Sequence, residues 1–334
     1  MEVDAAASTS QGCEIGSVWD ALSSETSEPT VVFRESDPKL PTKRSRIDDA
    51  FDCHFHLDRM FKVKSSEKSD KLKLTSMWYR STRRPVHTVV LKGGVACFCD
   101  PETYPSHGGI NHIVDLSLFG IAIGHHPKHQ QLSDQTLNRI RLLMTHPKVV
   151  AFGEIGLDYT AQVPIAIQED NLRRLLQISS RTKPVVFHVR ARSAKASDIS
   201  DAYDRVLEMA KAYLAPSQVI QLHSFNGGKA QVTSWLQAFP DTYFSLSGLV
   251  DSFRDYQQAG VRQIPSTHLL LETDSPYLSV ANCDEDPKRI DNHPTYLGSV
   301  AKLVARMRQS SMYEILESGY ANAIAVFVRP PVRR

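Results

Sequence analysis

Eight short apolar runs recur between residues 50 and 273, with helical patterns between them. No other feature restricts the fold of this chain as much. The runs span 50–56, 87–99, 121–124, 149–155, 184–190, 219–223, 243–247 and 269–273. Most are nearly continuous in Val, Ile, Leu, Phe and Ala. A strand wetted on one face alternates apolar and polar residues, whereas a strand covered on both faces need not. Parallel sheets wrapped by helices cover both faces, and the intervening segments supply helices. Residues 168–181 carry Leu172, Leu175, Leu176 and Ile178 at helical spacing; 201–214 carry Tyr203, Val206, Leu207, Ala210 and Tyr213. Residues 230–239 carry Val232, Trp235, Leu236 and Phe239, and two more helices are expected at 295–307 and 311–327. Eight strands with helical crossovers over roughly 280 residues predict an α/β TIM (β/α)8 barrel. An open doubly wound sheet is the alternative. It lacks support, because no Gly-x-Gly-x-x-Gly follows the first run.

The barrel is expected as a single catalytic domain over 47–328. Residues 1–46 are rich in Ser, Thr, Glu and Asp without sustained apolar periodicity, and they read as a disordered leader. Residues 329–334 read as a basic tail. Lys43-Arg44-Ser45-Arg46 is read as a solvated linker, with a nuclear address as the rival. The net charge of +2 leaves partners open. Five cysteines, irregular and odd in number, point to a reducing compartment without a disulfide frame. Cys97-Phe98-Cys99 lies inside an apolar run and reads as two buried thiols. No apolar run approaches the ~20 residues of a membrane span, and no signal pattern opens the chain. The expectation is an intracellular protein of the nucleus, the cytoplasm or both, without a membrane partner.

The ends of the runs carry chemistry. His54 and His56 stand two apart on the first, so they share a strand face. Glu154 closes the fourth run, His188 lies in the fifth, His223 closes the sixth and Asp274 follows the eighth. In a barrel all these ends meet at one mouth. Each group alone has an ordinary reading as a hydrogen-bonded core residue or a cap. Six together read as metal ligands. Six exceed one tetrahedral site and suit two cations sharing a bridge. Glu154 has the two oxygens a bridge needs. His54, His56 and Asp274 are assigned with it to one ion, and His188 and His223 to the other. Imidazole-rich sites suit zinc, manganese, nickel or iron better than magnesium, and the sequence leaves magnesium, manganese and zinc open as the identity of the two ions.

Asp274 is the candidate general base, with Glu154 as its catalytic partner. Arg190 shares a face with His188 and is a candidate phosphate contact; His126, after the third run, is a second substrate contact. Residues 59–84 hold nine Lys or Arg against two Asp or Glu. They follow the first strand and are expected to overhang the mouth, with Trp78 and Tyr79 available to stack on bases.

These motifs resemble the TatD family of metal-dependent deoxyribonucleases, a branch of the amidohydrolase-like barrels. The likeness rests on Phe-Asp-Cys-His-Phe-His-Leu-Asp at 51–58, Gly-His-His-Pro at 124–127 and Gly-Glu-Ile-Gly-Leu-Asp-Tyr at 153–159. His-Val-Arg at 188–190, His-Ser-Phe-Asn-Gly at 223–227 and Glu-Thr-Asp-Ser-Pro-Tyr-Leu at 272–278 complete it. Phe98-Cys99-Asp100-Pro101 and the basic insert are most similar to the branch called TatD-domain-containing protein 2. The resemblance implies ligand roles for His54, His56, Glu154, His188, His223 and Asp274. It implies two divalent ions and hydrolysis of phosphodiesters in DNA, with RNA as a second substrate. Ser224 departs from the cysteine usual after the sixth-strand histidine. Two other readings remain open on sequence: a hydrolase of a small amide, ester or phosphoester, and a non-catalytic nucleic-acid-binding barrel. A nuclease should weaken when Lys71, Lys73, Arg83 and Arg84 are neutralised.

Overall fold

A computed structural model of the chain describes residues 49–79, 85–280 and 292–328. The expected leader and tail, the basic cluster at 43–46, and Arg80, Arg83, Arg84 and Cys283 lie outside those residues.

All eight runs are strands: β1 Asp49–Phe55, β2 Val90–Phe98, β3 Phe119–Ile123, β4 Val149–Asp158, β5 Val185–Arg190, β6 Ile220–His223, β7 Thr242–Leu246 and β8 Leu269–Leu271. They form one parallel sheet in sequence order. Beyond the short β8, the ring closes back onto β1. Asp274 N–H donates to His54 O at 2.9 Å, and His56 N–H donates to Ser275 O at 2.8 Å. The buried Asp52 carboxylate reinforces the seam by accepting from Thr273 N–H at 3.0 Å and Thr273 Oγ1 at 2.6 Å.

Among the described residues there are ten α-helices: α1 Leu57–Met60, α2 Ser66–Ser69, α3 Gly109–Ile113, α4 Asp134–Met144, α5 Ile165–Leu176, α6 Ala196–Tyr213, α7 Lys229–Ala238, α8 Asp255–Gln263, α9 Leu297–Arg308 and α10 Met312–Ala323. The sequence predicts neither the one-turn helices α1, α2 and α3 nor the longer α4 and α8. The buried stripe of α4 is only Leu137, Ile140 and Leu143. That of α8 is Gln257, Gly260 and Val261. Neither gives a strong apolar period. The helix expected to run through 327 ends at Ala323 and continues as a π-helical turn over Ile324–Val328.

Two corrections bear on the site. β4 is ten residues long, so Glu154 lies inside the strand and Asp158 ends it. The basic crossover 59–84 does not arch over the mouth in its described part. Ser69 Oγ donates to Thr103 O beside the end of β2, and Thr75 Oγ1 donates to Asp115, four residues before β3 begins. The segment therefore descends the outer wall, as a β1-to-β2 connection must. Leu72 and Leu74 are buried, while Lys71 and Lys73, which alternate with them, are exposed.

Packing divides into two apolar clusters. The outer one joins Phe55, Phe98, Phe187 and Trp235 to the helices. The inner one joins Phe51, Cys53, Val95, Cys97, Val186 and Leu270 to Val326 and Phe327 of the C-terminal turn. Phe51 and Phe327 stack at 5.9 Å. The β1–β2 register slips between Asp52 and Phe55, which breaks strict alternation and places Cys53 in the inner cluster and Phe55 in the outer one.

Candidate metal centre

The strand ends bring all six predicted groups to one buried cluster around Glu154. His188 Nδ1 lies 3.2 Å and His223 Nε2 3.4 Å from Glu154 Oε2. His56 Nε2 lies 3.8 Å from Oε1, and His54 Nε2 3.9 Å from Oε2. Asp274 Oδ1 lies 3.3 Å from His56 Nε2 and 3.8 Å from His223 Nε2. Asp274 reaches this position from a left-handed backbone, φ 55°, a conformation that Asp tolerates better than most residues. The rings of His54 and His223 stack at 3.9 Å.

Mutual distance sorts these groups. His54, His56, Cys97 and Glu154 each bring a ligand-type atom within 4.8 Å of the others, and so do His126, Glu154 and His188. Glu154 belongs to both sets. The second set differs from the expected assignment. His126 was read as a substrate contact, yet its Nε2 is 3.9 Å from Glu154 Oε1 and its ring 4.5 Å from that of His188. His223 instead groups with His54 and Glu272. The donor set fits a divalent cation. His54 is fully buried and neither of its ring nitrogens has a hydrogen-bond partner, a costly state that coordination would relieve.

Electrostatics favours ligation by His54, His56 and Glu154. Burial drives His54 down to about 3, with His223 adding to the effect, and burial together with Arg59 lowers His56. Both imidazoles are therefore neutral, and the ring nitrogens of His54 have no competing hydrogen bond. Burial works to raise Glu154, but His126, His188 and His223 outweigh it and hold the carboxylate anionic. Burial pushes Asp274 up to about 7, opposed by His223 and assisted by Glu154. Burial lowers His223, but Glu272 and Asp274 win and bring it to about 10.

Several of these partners had gone unassigned on sequence. Glu272 Oε1 lies 2.9 Å from His223 Nδ1 and accepts from Ser224 N–H at 2.6 Å; its other oxygen accepts from Gln221 Nε2 at 3.1 Å. It fixes the ring so that Nε2 faces Glu154. Asp158 Oδ2 lies 3.5 Å from His188 Nε2 and 3.7 Å from the half-exposed Arg190. Its spacing from Glu154, four residues along one strand, was the available signal. Gly156, between them at φ 150°, leaves room for β5: a Cβ there would sit 1.9 Å from His188 O. Arg59 is a larger omission. It grips Asp100 through Nε at 3.0 Å, and it reaches His56 Nε2 at 3.1 Å and Cys99 Sγ at 3.0 Å.

Above the cluster opens a cleft of about 560 Å³. Its cations are Arg59, Lys128 and Arg190, and Tyr277, Leu249 and Leu278 also line it. Trp78 and Tyr79 do not line it. Trp78 packs against the outer core and Tyr79 faces solvent. No helix among the described residues is long and apolar enough to cross a membrane.

Known proteins share this architecture. A TatD homologue from Escherichia coli superposes with a TM-score of 0.63 at 20% identity, covering 84% of this chain and 98% of that one. A TatD family hydrolase from Entamoeba histolytica superposes with a TM-score of 0.61 at 18% identity, covering 85% and 100%. In sequence, the human protein named 3'-5' RNA nuclease TATDN2 is 28% identical over 245 residues, 72% of this chain but 30% of its own length. The chain thus spans under a third of that relative. The Erwinia amylovora protein named 3'-5' ssDNA/RNA exonuclease TatD is 29% identical over 209 residues, 61% of this chain and 76% of that one. The family model described as TatD related DNase matches residues 51–328, and the chain belongs to that family.

Proposed function

We propose that this protein is a divalent-metal-dependent nuclease that hydrolyses phosphodiester bonds in single-stranded DNA or RNA. The carrying observation is the convergence of His54, His56, Glu154, His188, His223 and Asp274 on one cleft, with buried imidazole nitrogens lacking other partners. One relative named a 3'-5' RNA nuclease and another named a 3'-5' ssDNA/RNA exonuclease support an attack from the 3' end.

Divalent cations, two in this reading, would polarise the scissile phosphoryl group and offset charge on the attacking and leaving oxygens. His54, His56, Glu154, His126, His188 and His223 would hold them, with Glu154 between. Asp274 takes the proton from the attacking water. Its carboxyl near 7 suits a base working at neutral pH. Glu272 keeps His223 oriented, and Asp158 does the same for His188. Arg190 and Lys128 face the cleft, where they would bind the flanking phosphates.

The test uses oligonucleotides labelled at either end, with single- and double-stranded DNA and RNA crossed against magnesium, manganese and zinc. Shortening from the 3' end in wild type and none in Glu154→Ala supports the proposal. Equal cleavage by both proteins removes the site assignment, and turnover only of small esters or amides removes the substrate.

A further inference from the structure

Two thiols form part of the floor of the metal centre, and the reaction outlined above uses neither. Cys97 on the inner face of β2 and Cys99 just past its end are both buried. On the β3 side, the residues in register with Cys97 carry only methyl groups, Ala122 on β3 and then Ala151 on β4. Volume alone does not account for a sulfur at this height. Cys97 Sγ lies within 4.8 Å of the ligand atoms of His54, His56 and Glu154. Cys97 Sγ also donates to Gly153 O at 3.5 Å, an ordinary length for a thiol. His54, aimed at the same space, has no partner on either ring nitrogen. Cys99 differs. Its Sγ lies 3.1 Å from Glu154 Oε1 and 3.0 Å from Arg59 NH2, so its surroundings are already satisfied.

We propose that Cys97 is a ligand of the cation held by His54, His56 and Glu154, making that position a mixed sulfur, nitrogen and oxygen site selective for zinc. The inference rests on the metal reading of this cleft and adds to it the identity of one ion. When the ion binds, the Cys97 S–H bond breaks, sulfur donates its electron pair to the cation and the proton leaves to solvent. No oxidant or reductant is needed. A soft thiolate favours zinc or cobalt over magnesium and manganese, whereas an all-imidazole and carboxylate site discriminates less. Cys99 Sγ, the sulfur nearest the His126, Glu154 and His188 set, is held by Glu154 Oε1 and Arg59, so that set would remain the less selective position.

X-ray absorption at the zinc edge of the loaded, dialysed protein tests this without turnover. A sulfur scatterer at about 2.3 Å is expected in wild type and in Cys99→Ser, and absent in Cys97→Ser. Cobalt-loaded protein should show a thiolate charge-transfer band with the same pattern. Zinc affinity in Cys97→Ser should fall about tenfold or more, with manganese affinity nearly unchanged. Zinc bound by nitrogen and oxygen alone in wild type overturns the proposal and leaves the metal centre standing. Sulfur lost in Cys99→Ser but kept in Cys97→Ser overturns it as well. Wild type retaining no metal at all overturns this inference and the metal reading together. The wild-type spectrum decides even if a variant fails to fold.

Discussion

The two ends of the barrel interior are built from opposite materials. At the amino end, Phe51, Val326 and Phe327 fill the bore with well-packed hydrocarbon. At the carboxyl end the same strands finish in imidazoles and carboxylates, buried as deeply, several without ordinary hydrogen bonds. One end is what a chain does to be stable. The other is what it tolerates for chemistry, since buried polar groups without partners cost free energy. Changes at the two ends should therefore separate activity from stability.

The sharpest separation is expected at Glu154. It touches both ligand sets, so Glu154→Ala should lose several kcal/mol of transition-state stabilisation, roughly a thousandfold or more in kcat/KM. Circular dichroism should still report a folded barrel. A variant with wild-type rates would merge the two ends again. Phe327→Ala is the mirror case. Its ring is buried against Phe51, and removing it should cost about 3–5 kcal/mol in urea unfolding, with kcat per folded molecule nearly unchanged. A large drop in kcat at full folding would mean that the plug also shapes the mouth.

Glu272→Gln sharpens the comparison within the polar end. Glutamine keeps the volume but loses the charge that holds the His223 proton on Nδ1. Calorimetric metal affinity should fall about 10–100-fold, with little change in folding. An unchanged affinity would make Glu272 a purely structural residue.

The sequence made the fold legible because both-face burial writes itself into composition: all eight apolar runs became strands. The six ligand-type residues could be read because five are polar groups inside those runs, mostly at their ends, and Asp274 follows the last. What escaped was whatever depended on distance across the chain. Arg59 was counted as one cation in a basic segment, yet only folding brings it to Asp100, Cys99 and His56. His126 was legible as polar but not as a neighbour of Glu154. Glu272, buried and paired to His223, gave no signal beyond its position before Asp274. The β1 irregularity that places Cys53 inward breaks the alternation on which the reading relied.

The smallest effect expected is also the one that revises the basic segment. Lys71 and Lys73 were expected at the mouth, but both are exposed on the outer wall, outside the lining of the cleft, with Lys71 3.3 Å from Glu67. Lys128 and Arg190 line the cleft itself. Cations that meet phosphate release counterions, whereas exposed cations elsewhere are largely screened at physiological salt. Lys128→Ala and Arg190→Ala should each reduce the slope of log binding against log salt by about one, measured with single-stranded oligonucleotide and Glu154→Ala as the inert background. Lys71→Ala and Lys73→Ala, in that same background, should leave the slope within error. If the outer lysines lower it as much as the inner cations do, the nucleic acid runs down the wall of the barrel past the 59–79 crossover, and the cleft holds only its end.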